Sequence, residues 1–140
     1  MLVVFEDAFM DAQSRTVSLC MELLESSDIQ ADKIYIYMFQ NEFQDFYNAF
    51  FKIGNEMFRL NDLFSDEQID EFFDNGIEDI ESIIEVCKNH ERKCPNEFRL
   101  TYNVMTKAFE SKYEYDDFVS DESESLIDRF ECWFNEVNLI

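Results

Sequence analysis

The spacing of apolar residues changes period along this chain, and those changes limit the folds open to it. Across Phe5–Ser26 the pattern is helical, with Val4, Ala8, Val17, Leu19, Cys20, Leu23 and Leu24 as its apolar positions. At Lys33 the helical period stops. Residues 33–39 (KIYIYMF) are β-branched and aromatic, which predicts a strand. Residues 46–53 (FYNAFFKI) predict a second. Gly54 and Asn55 supply a tight turn into residues 56–60 (EMFRL), which completes a hairpin.

The helical period then returns. Ser65 and Gln68 form a capping box in SDEQ. Ile69, Phe72, Phe73, Ile77, Ile80, Ile83, Ile84 and Cys87 follow at i, i+3, i+4 spacing. Gly76 interrupts the propensity, so a break or bend is expected around 74–76. The helix should end before Pro95, with Lys88, Arg92 and Lys93 near its negative end. Two more strands are expected, at Glu97–Asn103 and at 107–115. Phe98, Leu100 and Tyr102 alternate in the first; Phe109, Ser111, Tyr113 and Tyr115 share a face of the second. Ser120 or Asp121 is expected to cap a last helix, whose stripe is Leu126, Ile127, Phe130, Trp133, Phe134 and Val137. The order α-β-β-β-α-β-β-α with short links predicts an α+β fold, with helices packed on a mostly antiparallel sheet of about five strands. With 140 residues, two Gly, one Pro and no repeat, residues 1–140 read as a single domain.

Charge narrows the function. Thirty-two acids face eleven bases, a formal net charge of -21, while 46% hydrophobic content argues for a packed fold over disorder. Such a chain repels nucleic acid and anionic membranes, and its field favours a basic protein or metal cations. Sixteen Phe are more than a monomer readily hides, so some are expected at an interface. Cys20, Cys87, Cys94 and Cys132 form no CxxC pair and read as core thiols of a reducing cytosol. The N-terminus, MLVVFEDAFMDAQ, lacks the basic start of a signal peptide, and no apolar run reaches the length of a membrane span. A cytoplasmic location is expected.

Catalytic motifs do not emerge. The single histidine, His90, lies in KNHERK near a helix end, where a dipole partner is the plainer reading. There is no GxSxG, HExxH or phosphate-cradling glycine loop, and the acidic stretch 66–74 lacks the glycine an EF-hand requires at its sixth position. The expectation is a binding protein and no enzyme, with no cofactor and no metal.

Two acidic stretches stand out. Glu67, Glu71, Asp74, Glu78, Glu81 and Glu85 are spaced by four, three, four, three and four, which places them within roughly 80° of one helix face at ~100° per residue. Asp70 and Asp79 lie beside them, and no Lys or Arg occurs between Arg59 and Lys88. Neighbouring like charges cost ~0.2–0.5 kcal/mol per pair, which favours a partner that relieves them. A plain solvated face is the competing reading. The second stretch runs from Tyr113 to Asp128 and mixes Glu114, Asp116, Asp117, Asp121, Glu122 and Glu124 with Tyr113, Tyr115 and Phe118. Aromatic anchors among acids suit an interface, although a strand end and a helix N-terminus would account for them equally. The candidate partner-binding residues are Glu67, Asp70, Glu71, Asp74, Glu78, Glu81 and Glu85, with Tyr113, Tyr115, Asp116, Asp117 and Phe118.

From Lys33 onward the chain resembles the YezG-type antitoxin family, immunity proteins for secreted or contact-delivered polymorphic toxins. The resemblance rests on KIYIYMF, the hairpin FYNAFFKIGNEMFRL, the acidic helix DEQIDEFFDNGIEDIESIIEVC and the hairpin FRLTYNVMTKAFESKYEYDDF with its YEYDDF end. The chain lacks the family's usual Trp before the first strand and its Gly-rich first hairpin turn. The resemblance implies a cytosolic protein that binds and neutralises a cognate toxin, often a nuclease, and it assigns no contact residues. The charge leads the same way, because a nuclease cleft must be basic to attract phosphate. A nucleic-acid mimic or a scaffolding protein on a basic housekeeping partner is the alternative.

Overall fold

The computed structural model describes residues 4–116 and 125–139. Its elements are α1 (Phe5–Ser26), β1 (Lys33–Gln40), β2 (Asp45–Ile53), β3 (Glu56–Arg59), α2 (Leu60–Leu63), α3 (Asp66–Asn89), β4 (Glu97–Asn103), β5 (Phe109–Glu114) and α4 (Leu126–Asn138). The fold is α+β, with one five-stranded antiparallel sheet in the order β3-β2-β1-β4-β5. The single turn of α2 is an addition to the expected order.

β1 is the central strand, and helices cover it on both faces. Ile34, Ile36 and Met38 join Ala49, Phe51, Phe98 and Leu100 under α1 and α3. Tyr35, Tyr37, Phe39 and Phe50 face the other way and meet Leu126, Phe130, Trp133 and Phe134 of α4. This explains the unbroken apolar run KIYIYMF, since a strand buried on both sides has no polar face to alternate with. Phe50 stacks on Tyr35 at 4.6 Å and takes Trp133 and Phe134 edge-on at 5.0 and 5.1 Å. Such pairs are worth ~0.5–1.5 kcal/mol each beyond area burial.

The turns follow local chemistry. Gly54 sits at φ 62° with nothing near its missing side chain, so the backbone alone selects glycine there. Gly76 has the opposite reason. The expected break at 74–76 does not occur, and α3 runs unbroken through it. A Cβ on Gly76 would meet the ring of Tyr47, so glycine serves packing against β2. The last helix also starts later than expected. Its cap is Ser125, whose Oγ accepts the Asp128 amide at 3.1 Å, while Ser120 and Asp121 lie outside the described residues. β5 is shorter than 107–115, because Asn103 Oδ1 accepts the amides of Met105 and Thr106 and holds the β4–β5 turn together. No helix among the described residues is long and apolar enough to cross a membrane.

Candidate functional site

The acidic stripe rests on a well-anchored helix. Ser65 Oγ accepts the Gln68 amide at 3.3 Å, and Gln68 Oε1 accepts the Ser65 amide at 2.9 Å. Gln68 Nε2 also donates to Ser27 Oγ at 2.8 Å, tying the start of α3 to the end of α1. From this cap α3 continues for 24 residues with Phe72, Gly76, Ile80, Ile83 and Cys87 buried against the core. The opposite side carries Glu67, Glu71, Asp74, Glu78, Glu81 and Glu85, all exposed, and Asp70 is exposed beside them.

Packed beside α3, α1 adds Glu6, Asp7, Asp11, Glu22 and Glu25. Together the two helices hold fourteen acids against Arg15 and Lys88, a net of -12 within the chain's -21. Where the helices meet, two adjoining cavities of about 230 and 350 Å³ share Leu19, Glu22 and Asn75 and form a furrow. Asp79 lines it half-buried. Burial raises its carboxyl pKa, Glu78 and Glu22 push the same way, and Arg15 opposes them.

Six of the eleven bases lie on the other side, while Arg92 stands over the Phe5 ring of α1 at 4.7 Å. Register and the two-residue strand period place Lys33, Lys52, Arg59, Arg99 and Lys112 on the α4 face of the sheet, and α4 itself carries Arg129. The ion pairs among the described residues lie there too: Arg59–Glu131, Arg99–Glu97 at 3.6 Å, Arg99–Glu136 at 3.7 Å and Arg129–Glu97 at 2.7 Å. None of the fourteen acids of α1 and α3 pairs with a cation within 4.0 Å among the described residues. The domain is electrically two-sided, with an uncompensated acid layer opposite a compensated sheet face.

The second acidic stretch divides. Tyr113 is half-buried against Phe9 and Phe98, each at 5.5 Å, and its hydroxyl donates to Gln13 Oε1 at 2.8 Å. That ring docks β5 on α1. Tyr115 is 47% exposed, and Lys93 Nζ donates to its carbonyl at 3.2 Å and approaches its ring at 5.8 Å. Asp116 is exposed. Asp117 and Phe118 lie outside the described residues. The α3 acids lie along one helix, and Tyr115 follows β5 with Lys93 beside it.

One buried polar cluster escaped the reading of the sequence. Glu97 is 2% exposed, and its carboxylate accepts hydrogen bonds from the Tyr37 hydroxyl and from Arg129 Nε and Nη2 at 2.7 and 3.2 Å. Burial alone would raise its pKa. The hydrogen bonds from Arg129 and Tyr37, with the charges of Arg129 and Arg99, outweigh burial and hold it below the ordinary range. This cluster fastens α4 to β4. The available signal was parity: Glu97 pairs with Phe39 and so points toward α4.

Other candidate chemistry is sparse. His90 caps α3, with Nδ1 2.9 Å from the Val86 carbonyl and its ring against Phe5. Cys20 and Cys87 are buried, Cys94 is half-buried and Cys132 is exposed, all as free thiols. Burial pushes the Cys20 thiol up to about 12, well away from a reactive thiolate. No group of three or more His, Cys, Asp or Glu among the described residues is arranged to hold a metal ion. The chain matches no protein-family model and no curated protein sequence.

Proposed function

We propose that this chain is a cytoplasmic immunity protein of the YezG type, which neutralises a cognate toxin nuclease by laying its α1–α3 layer over the toxin's basic cleft. One observation carries the reading: fourteen acids on two adjacent helices have no cation within 4.0 Å among the described residues. Such a layer attracts a basic surface at long range and loses its self-repulsion when covered. The capped, uninterrupted α3 presents the charge on a preformed helix.

The test is co-expression with the variable C-terminal domain of a large secreted protein encoded beside this chain. A tight complex is expected, with an on-rate that falls steeply as salt rises. An on-rate indifferent to salt would remove electrostatic capture from the mechanism. The line of acids along α3, about 27 Å from Glu67 to Glu85 at 1.5 Å per residue, also supports a second reading as a nucleic-acid mimic. A mimic would compete with DNA for several unrelated basic proteins, whereas an immunity protein discriminates among them.

A further inference from the structure

Away from the helical layer, the β1–β2 turn displays an aromatic ring on a braced backbone. Asn41 Oδ1 accepts the amides of Phe43 and Gln44, both at 2.9 Å, and the Asn41 amide donates to the Gln44 carbonyl at 3.0 Å. Below the turn, Gln40 and Asn96 exchange hydrogen bonds, and Gln40 Nε2 donates to the Pro95 carbonyl at 2.8 Å. Phe43 stands at the tip of this support and is 87% exposed.

Beside the turn lies a concave surface. Gln44, Phe46, Ser125, Leu126 and Ile127 line a cavity of about 340 Å³, and Ile127 is 63% exposed. Scattered exposed apolar residues are ordinary, but an apolar cavity with Ile127 in its wall and Phe43 next in sequence to the lining Gln44 is a place for an incoming side chain. No Lys or Arg lines it. Glu42 and Asp128, both exposed, lie close in sequence to the lining residues and are acids, whereas Asp45 alternates with Phe46 and turns toward α3.

We infer that the Phe43–Ile127 surface is a second contact point for a basic protein partner. An apolar side chain of that partner fills the cavity between Phe46 and Ile127, Phe43 packs over it, and flanking lysines or arginines of the partner face Glu42 and Asp128. Charge complementarity selects this occupant, because an uncharged apolar segment would leave the acid rim unanswered. The inference rests on the reading that the partner is basic. It adds an apolar anchor, and anchors set off-rates where the acid layer sets on-rates.

Two synthetic peptides separate the two ideas: an amphipathic helix of lysines and leucines, and an oligolysine of equal charge. Affinities are measured for the intact chain, for Phe43→Ala, for Ile127→Ser, for Met105→Ala and for the triple variant Glu71→Lys, Glu78→Lys, Glu85→Lys. Phe43→Ala and Ile127→Ser should each weaken the amphipathic peptide about tenfold and leave oligolysine unchanged. The triple variant should weaken both. Met105 is 83% exposed on the β4–β5 turn, and its substitution should change neither. Unchanged amphipathic affinity in Phe43→Ala and Ile127→Ser, or an equal loss in Met105→Ala, overturns the apolar anchor. If the triple variant still weakens both peptides, the acid layer survives that failure. Failure of oligolysine to bind, with Phe43-dependent capture of the amphipathic peptide intact, overturns the layer and supports the anchor.

Discussion

Gly76 of α3 lies so close to the ring of Tyr47 on β2 that a Cβ there would stand 2.2 Å from Cδ1. The Tyr47 ring is buried, with its hydroxyl 3.9 Å from Cys20 Sγ and 3.5 Å from the Thr16 carbonyl. It therefore has no free direction in which to yield. Gly76→Ala gains ~1 kcal/mol of helix propensity but overpacks a filled site, which typically costs ~1–3 kcal/mol. Overpacking should win, and the urea midpoint should fall. A midpoint equal to or above that of the parent would show that the ring moves aside cheaply.

That relationship marks where the sequence stops being legible. The limits of α1, the Gly54 turn and the Ser65–Gln68 cap were readable because each depends on residues a few positions apart. The role of Gly76 depends on Tyr47, on another element. The same limit hid the charge segregation. Lys33, Lys52, Arg59, Arg99 and Lys112 are scattered along the chain, and only strand register brings them to one face. Tyr113 was visible as part of an alternating strand, but Phe9 of α1 decides that its ring packs inward. The α3 stripe was readable because it lies within one element. Phe43 was not, because its exposure depends on the turn that Asn41 builds.

Arg129 holds the buried carboxylate of Glu97 through two hydrogen bonds. Arg129→Met strips most of that support and leaves a charge with little solvent access, a change that costs ~3–5 kcal/mol. Adding Glu97→Gln should recover much of the loss, since the stranded charge is then gone. Thermal unfolding of the single and double variants gives the comparison. Equal destabilisation in both would mean that packing of the Arg129 stem, and not charge, fastens α4.

Stability should pass through a maximum on the acid side of neutrality. Burial raises the Asp79 carboxyl, and burial with Glu81 raises that of Asp45. A raised carboxyl costs stability above its folded pKa, and that cost fades as pH falls toward the unfolded value of ~3.9. Glu97 has the opposite sign. Its depressed pKa contributes stability above the unfolded value of ~4.3, which is lost as pH falls through the folded one. Unfolding midpoints across a pH series should therefore rise on mild acidification and then fall. Asp79→Asn should flatten the rising limb; an unaltered limb would assign the gain to the general charge of the layer.

The strongest discriminator between a working surface and a merely solvated one is the sign of two effects in one variant. Glu71→Lys, Glu78→Lys and Glu85→Lys convert every successive like-charge pair along the stripe into an opposite-charge pair. At low ionic strength the folded chain should gain on the order of 2 kcal/mol, with the gain shrinking as salt is added. Association with a basic toxin domain should slow by at least an order of magnitude over the same salt range. A gain in stability with association untouched would make the acids of α3 a solvated face. A gain coupled to lost association would mean that the chain keeps repulsive, destabilising charge where a partner needs it.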